Sequence, residues 1–213
     1  DPDGGPWPLF ISDHLPLFSR HGLNCPRMMV PHAAPNPSPG EPFPLTAMQR
    51  AMLADALLHP GRGNDIEQVV LTLPEEIDSQ SLRSAWAATL ARHDALRLTF
   101  AWTDGEPSQQ VQPTAEPAWA ELDWSDTSDA TADSRLDQWL REDRRRGFDL
   151  GNGTPQRHTL IRRGPTDFVL VWTFHHLLLD GRAIPVVLQE VFEGPPAGPL
   201  DAPSFVRYAQ AAA

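Results

Sequence analysis

Apolar positions along this chain recur with two periods, and the switches between them predict its elements. The first helical pattern begins at Thr46-Ala-Met-Gln49, a capping box in which Thr46 caps the helix and Gln49 reaches back. It runs to about residue 58, before Pro60-Gly61. Residues 66–73 predict a strand. Asp78 or Ser79 is placed to cap a second helix whose apolar face carries Leu82, Ala85, Trp86 and Leu90. Residues 96–102 alternate as a strand does, the turn residues of 103–107 follow, and short strands are expected near 109–111 and 119–124. After a polar loop over 125–133 comes an amphipathic helix with Leu136, Trp139 and Leu140 on its buried stripe, ending near Gly147. Residues 156–162 and 168–174 predict a hairpin turning at Gly164-Pro165, its second strand apolar on both faces as a central strand is. Residues 183–192 and 204–213 predict further helices, separated by the Pro/Gly break at 194–199.

That order implies an α/β (α+β) fold, a mixed and largely antiparallel sheet flanked by helices. Residues 1–40 form a Pro/Gly-rich leader or linker, and the organised domain occupies 41–213. Within the leader, Leu9, Phe10, Ile11, Leu15, Leu17 and Phe18 are apolar enough to dock on a neighbouring surface.

Composition narrows the function. The 213 residues carry a formal net charge of −11, so the basic face that displaces counterions from nucleic acid is not expected, nor is docking on an anionic membrane. A single cysteine, Cys25, excludes an intrachain disulfide and a cysteine-built zinc site, and it fits a reducing, cytoplasmic location. No apolar run approaches membrane-spanning length, and the acidic first residues are the reverse of a signal peptide. The sequence lacks a Walker loop, a Gly-x-Gly-x-x-Gly turn and a Gly-x-Ser-x-Gly elbow, so nucleotide binding and serine-hydrolase chemistry have no local support.

The segment that stands out is Phe174-His175-His176-Leu177-Leu178-Leu179-Asp180-Gly181. A buried strand delivers two adjacent histidines to its end, where neighbouring side chains face opposite ways. One ring can face a cleft while the other packs inside or holds the loop, and an ionised Asp180 nearby can fix a tautomer. Three readings stand on this local chemistry. The pair is structural; or one ring transfers protons; or His175, His176 and Asp180 hold a metal, which the strand geometry disfavours by separating the rings.

His175-His176-Leu-Leu-Leu-Asp180-Gly181 resembles the His-His-x-x-x-Asp-Gly motif of the condensation domains of nonribosomal peptide synthetases, within the chloramphenicol acetyltransferase-like superfamily. Residues 44–53 (Pro-Leu-Thr-Ala-Met-Gln-Arg-Ala-Met-Leu) resemble the family's opening motif, and 92–100 (Arg-His-Asp-Ala-Leu-Arg-Leu-Thr-Phe) its second. Phe148-Asp149-Leu150 with Gly153-Thr-Pro-Gln-Arg157 resembles the stretch entering the strand before the histidines. The resemblance implies the amino-terminal lobe of such a domain, with the carboxy-terminal lobe absent. It implies His176 as the catalytic residue, a general base or positioner for an amine that attacks a carrier-bound acyl thioester.

By the same resemblance His175, Asp180, Gly181 and Arg157 support the motif. Asp180 is expected to pair with Arg157, and Gly181 to let the backbone turn close to substrate. No cofactor or metal is expected to bind directly; the substrates ride on phosphopantetheine arms of peptidyl or acyl carrier proteins. The partners implied are those carriers and the missing lobe or a second copy of the chain, and the chain alone is expected to be inactive. Arg182 and Pro185, which follow the motif where peptide-forming members often have other residues, leave room for a free-standing or starter-type enzyme or an ester-forming relative; an epimerisation relative, which shares the histidine motif, and a non-catalytic docking scaffold are the further alternatives. From their positions, Arg92, His93 and Arg97 are expected to order a helix-to-strand junction, and Gln49 to act as a cap.

Overall fold

The computed structural model describes residues 9–11, 40–102, 105–126, 129–195 and 204–212. Strand β1 (Leu9–Ile11) and the short β2 (Phe43–Pro44) precede helix α1 (Ala47–Leu58). Then follow β3 (Ile66–Leu73), α2 (Ser79–Arg92), a 3-10 turn (Asp94–Arg97), β4 (Leu98–Ala101), β5 (Ser108–Val111) and β6 (Trp119–Asp123). Helix α3 (Asp129–Arg146), β7 (Gln156–Arg162), β8 (Phe168–His175), α4 (Ala183–Glu193) and α5 (Phe205–Ala212) complete the order.

The main sheet runs β1-β3-β8-β7-β6, antiparallel at its centre and parallel at both outer pairs. Strands β2, β5 and β4 form a smaller antiparallel sheet. All eight residues of β8 are buried, as its unbroken apolar run predicts for a strand covered on both faces. On one face Leu71, Leu170, Trp172 and Phe174 pack with Leu53 of α1, Trp86 and Leu90 of α2, and Val187 and Val191 of α4. On the other, Val70, Val169, Val171 and Ile161 meet Leu136 and Leu140 of α3.

The α3 face also carries a polar row. Gln68, Thr173 and Arg157 stand side by side across β3, β8 and β7. All three converge on buried Asp143 of α3. Gln68 Nε2 and Thr173 Oγ1 donate to Oδ2 (3.0 and 2.7 Å), and Arg157 Nε donates to Oδ1 (2.7 Å). These donors satisfy the buried carboxylate, and the cluster fixes the end of α3 over the sheet.

Four features differ from the sequence-based expectation. Leu9–Ile11 belongs to the main sheet, pairing in parallel with β3, whose exposed edge would otherwise leave backbone groups unpaired. The expected docking residues Leu15, Leu17 and Phe18 lie outside the described residues. Phe43–Pro44 pairs with β5, a strand too short to show any alternation. The strand expected from residue 96 begins at Leu98, because Arg97 turns inward to the carbonyls of Leu90, Gln112 and Pro113 and holds a 3-10 turn there. Helix α3 starts at Asp129 inside the expected loop; Ala132, Leu136 and Leu140 form one i, i+4 stripe whose first member is hidden among polar residues.

Candidate active site

Strand β8 ends at His175, and the five residues after it form a loop pinned from several sides. The N–H of His175 donates to the Pro155 carbonyl (2.9 Å) and that of His176 to the Asp65 carbonyl (2.8 Å). Leu177, Leu178 and Leu179 are all buried, so the loop is anchored by its apolar side chains as well as its backbone. Gln49, already engaged in the capping box with Thr46, donates from Nε2 to the Leu177 carbonyl (3.1 Å) and pairs with Gln109 (2.9 Å). The opening segment of the domain thus clamps the histidine loop, a role for Gln49 beyond the cap.

His176 is half-buried, and its Nδ1 lies 2.8 Å from the Leu179 carbonyl oxygen. A carbonyl can only accept, so Nδ1 carries the proton. In the neutral ring Nε2 then keeps its lone pair and can receive a proton from a reacting group. The ring is oriented by its own loop, three residues downstream.

His175 faces the α3 side of the sheet, with Val171 and Thr173. It is 4% exposed, and its Nδ1 accepts the N–H of Leu177 (3.2 Å). Burial pushes its pKa down to about 4, assisted by the neighbouring His176, so it is neutral near pH 7. His175 is among the residues lining a cleft of about 320 Å³ at the ends of β3 and β8, formed also by Asp55, Asp65, Trp102 and Phe148. Neither this cleft nor a broader one of about 690 Å³ over β4 and β5 is lined by His176.

Asp180 and Arg157 do not form the expected pair. Arg157 points from mid-β7 towards α3, where it binds Asp143 and donates to the carbonyls of Asp143 (2.6 Å) and Gly147 (2.7 Å), with its guanidinium 4.3 Å from the Phe148 ring centre. Asp180 lies beyond the end of β8. Its Oδ1 accepts the N–H groups of Arg182 (3.0 Å) and Ala183 (3.2 Å), capping the start of α4. Gly181 is exposed, is not among the residues with positive φ, and a Cβ built there meets nothing within 4 Å. Within the described residues the turn does not demand glycine, because the Asp180 carboxylate already organises it.

Arg92 and His93 both reach Glu190 of α4, at 3.2 and 2.9 Å, and so tie the end of α2 to α4. Asp65 escaped sequence reasoning. It precedes β3 and, because Ile66 pairs with His175, it stands opposite His176. Burial, with Asp55 adding, raises its pKa, while the His176 charge lowers it. Only the β3–β8 register reveals this neighbour, and register is not readable from one strand at a time. Among the described residues no group of three or more metal-ligating side chains is assembled, and no helix is long and apolar enough to cross a membrane.

The condensation domain family model matches residues 41–204. Among curated relatives, a linear gramicidin synthase of Brevibacillus parabrevis is 36% identical over 149 residues, covering 70% of this chain and 3% of that protein. Bacitracin synthase 3 of Bacillus licheniformis is 32% identical over 149 residues, covering 70% of this chain and 2% of that protein. The starter condensation domain of the rhizomide synthetase superposes with a TM-score of 0.70 at 20% identity, covering 80% of this chain and 44% of that one. The first condensation domain of the calcium-dependent antibiotic synthetase superposes with a TM-score of 0.66 at 17% identity, covering 79% and 42%. The chain therefore spans a small part of the curated synthetases and less than half of these solved domains, and its mixed sheet with flanking helices is their fold. With the family model matched across the capping box, the helix junction and the histidine loop, this chain belongs to the condensation domain family.

Proposed function

We propose that this chain carries the histidine-bearing part of an acyltransferase that forms an amide between an acyl thioester and an amine, with His176 as the proton acceptor. The observation that carries the reading is the Nδ1–H of His176 held on the Leu179 carbonyl, which leaves the Nε2 lone pair for the incoming amine. The amine nitrogen attacks the thioester carbonyl and a C–N bond forms. Its proton passes to Nε2 of His176, the C–S bond breaks, and the proton returns to the departing sulfur as a thiol. His175 holds the loop through Leu177, Gln49 holds it through the Leu177 carbonyl, and Asp180 starts α4 in the orientation that follows.

The substrates in this reading are carried on phosphopantetheine arms of peptidyl or acyl carrier proteins, in keeping with relatives that are peptide antibiotic synthetases. The reaction also needs a wall facing His176. The solved condensation domains are more than twice as long as the part this chain matches, and neither of the two clefts described above is lined by His176. Without that wall water is not excluded and the reactants are not oriented, effects that supply much of such a rate.

The test joins the chain to the rest of a condensation domain and offers an acylated carrier protein with matched amine and alcohol acceptors, with products read by mass spectrometry. The reading requires amide from the amine. Ester alone, or hydrolysis alone, would overturn it.

A further inference from the structure

We propose that the edge of β3 facing away from β8 is a strand-acceptor site, which this chain's own Leu9–Ile11 fills removably, so that an emptied edge takes the same segment from solution. Its occupancy does not depend on the acyl-transfer reading.

The sheet is guarded differently at its two sides. Strand β6, on one side, carries exposed Glu121 and Asp123, and charges on an edge oppose pairing with a further strand. Strand β3 has no such protection over Val69, Val70 and Leu71, three consecutive buried apolar residues. Val69 and Leu71 belong to the core beneath α1, α2 and α4, and Val70 to the core beneath α3. A strand that adds beside them in register therefore alternates between two apolar layers and needs apolar residues at consecutive positions. Leu9-Phe10-Ile11 has that composition, and it is what pairs there, in parallel, Leu9 with Val69, Phe10 with Val70 and Ile11 with Leu71.

The filling is partial. Strand β3 pairs with β8 over all eight of its residues but with β1 over three, so on its outer side residues 66–68 and 72–73 have no strand partner among the described residues. Few ladder hydrogen bonds must offset the ordering of the segment, and a parallel pair is the less stable kind. A short strand held in this way opens more readily than the sheet it borders. Residues 12–39 join it covalently to the domain, which makes refilling by the same chain unimolecular and favours it over a second copy.

The experiment compares the full chain with its Phe10→Pro/Ile11→Pro variant, since adjacent prolines remove a ladder donor whichever of the two points at β3. The probe is a fluorescent peptide with the sequence of residues 6–14, followed by anisotropy. The variant should bind it saturably below about 1 mM. The unsubstituted chain should bind it at least about tenfold more weakly, because its own segment competes at high effective concentration. By hydrogen exchange, the outward-pointing amides of residues 69–71 should lose protection in the variant and regain it with peptide, while those of β7 and β8 stay protected. The unsubstituted chain should sediment as a monomer. No saturable binding by the variant, equal binding by both chains, or outward amides equally protected in both would overturn the site. A variant that loses protection throughout the sheet would overturn it as well, by showing that the segment is integral and not removable. So would an unsubstituted dimer that the prolines dissociate, since the segment would then come from a second copy. None of these readouts requires turnover.

Discussion

The two histidines of the loop have opposite electrostatic situations because adjacent residues at a strand end face different surroundings. His176 keeps an open Nε2, whereas His175 is buried and neutral. A third ring, His158, is fully buried against Trp86, with ring centres 4.2 Å apart, and burial drives its pKa to about 3. In the unfolded chain both buried rings regain an ordinary value near 6.5. Between that pH and their folded values the unfolded chain binds more protons, so stability is complete above about pH 6.5 and declines as pH falls. Each ring contributes a slope of about 1.4 kcal/mol per pH unit, extending to about pH 4 for His175 and about pH 3 for His158. Urea unfolding at a series of pH values checks this. His158→Phe should remove one ring's share of the slope between pH 6.5 and 5, and an unchanged slope would contradict the assignment.

At the scale of elements, helices with a clear stripe and a local cap were readable: the Thr46–Gln49 box and the Asp78 cap both form. The strands that flank the histidines were readable too, because β8 is apolar throughout. What stayed hidden depends on partners distant in sequence. Leu9–Ile11 becomes a strand only because β3 offers an edge, and Asp65 meets His176 only through register. The Arg157 partner was misassigned for the same reason. Its true acceptor, Asp143, lies on α3, and sequence spacing gives no hint that this carboxylate sits over the Gln68-Thr173-Arg157 row. Removing that acceptor leaves the Arg157 charge with carbonyls only and three donors unsatisfied. Asp143→Ala should therefore cost about 3 kcal/mol in denaturant unfolding. A loss below about 1 kcal/mol, the scale of an exposed ion pair, would show that the row is not what fastens α3.

At the scale of the whole molecule, the sheet serves to bring one loop to a defined place. Strand β8 runs through the centre, α1 clamps the loop through Gln49, and α4 leaves from the Asp180 cap. The condensation family was legible in the sequence since its motifs are local runs of residues; the direction in which each ring points was not, since that follows from the loop's hydrogen bonds. The measurement that bears most directly on the account is turnover by His176→Ala, in the chain joined to the rest of a condensation domain and shown by circular dichroism to keep its fold. Loss of a proton acceptor predicts amide formation reduced by about 100-fold or more. Amide formation at the unsubstituted rate by that folded variant would contradict the assignment of His176.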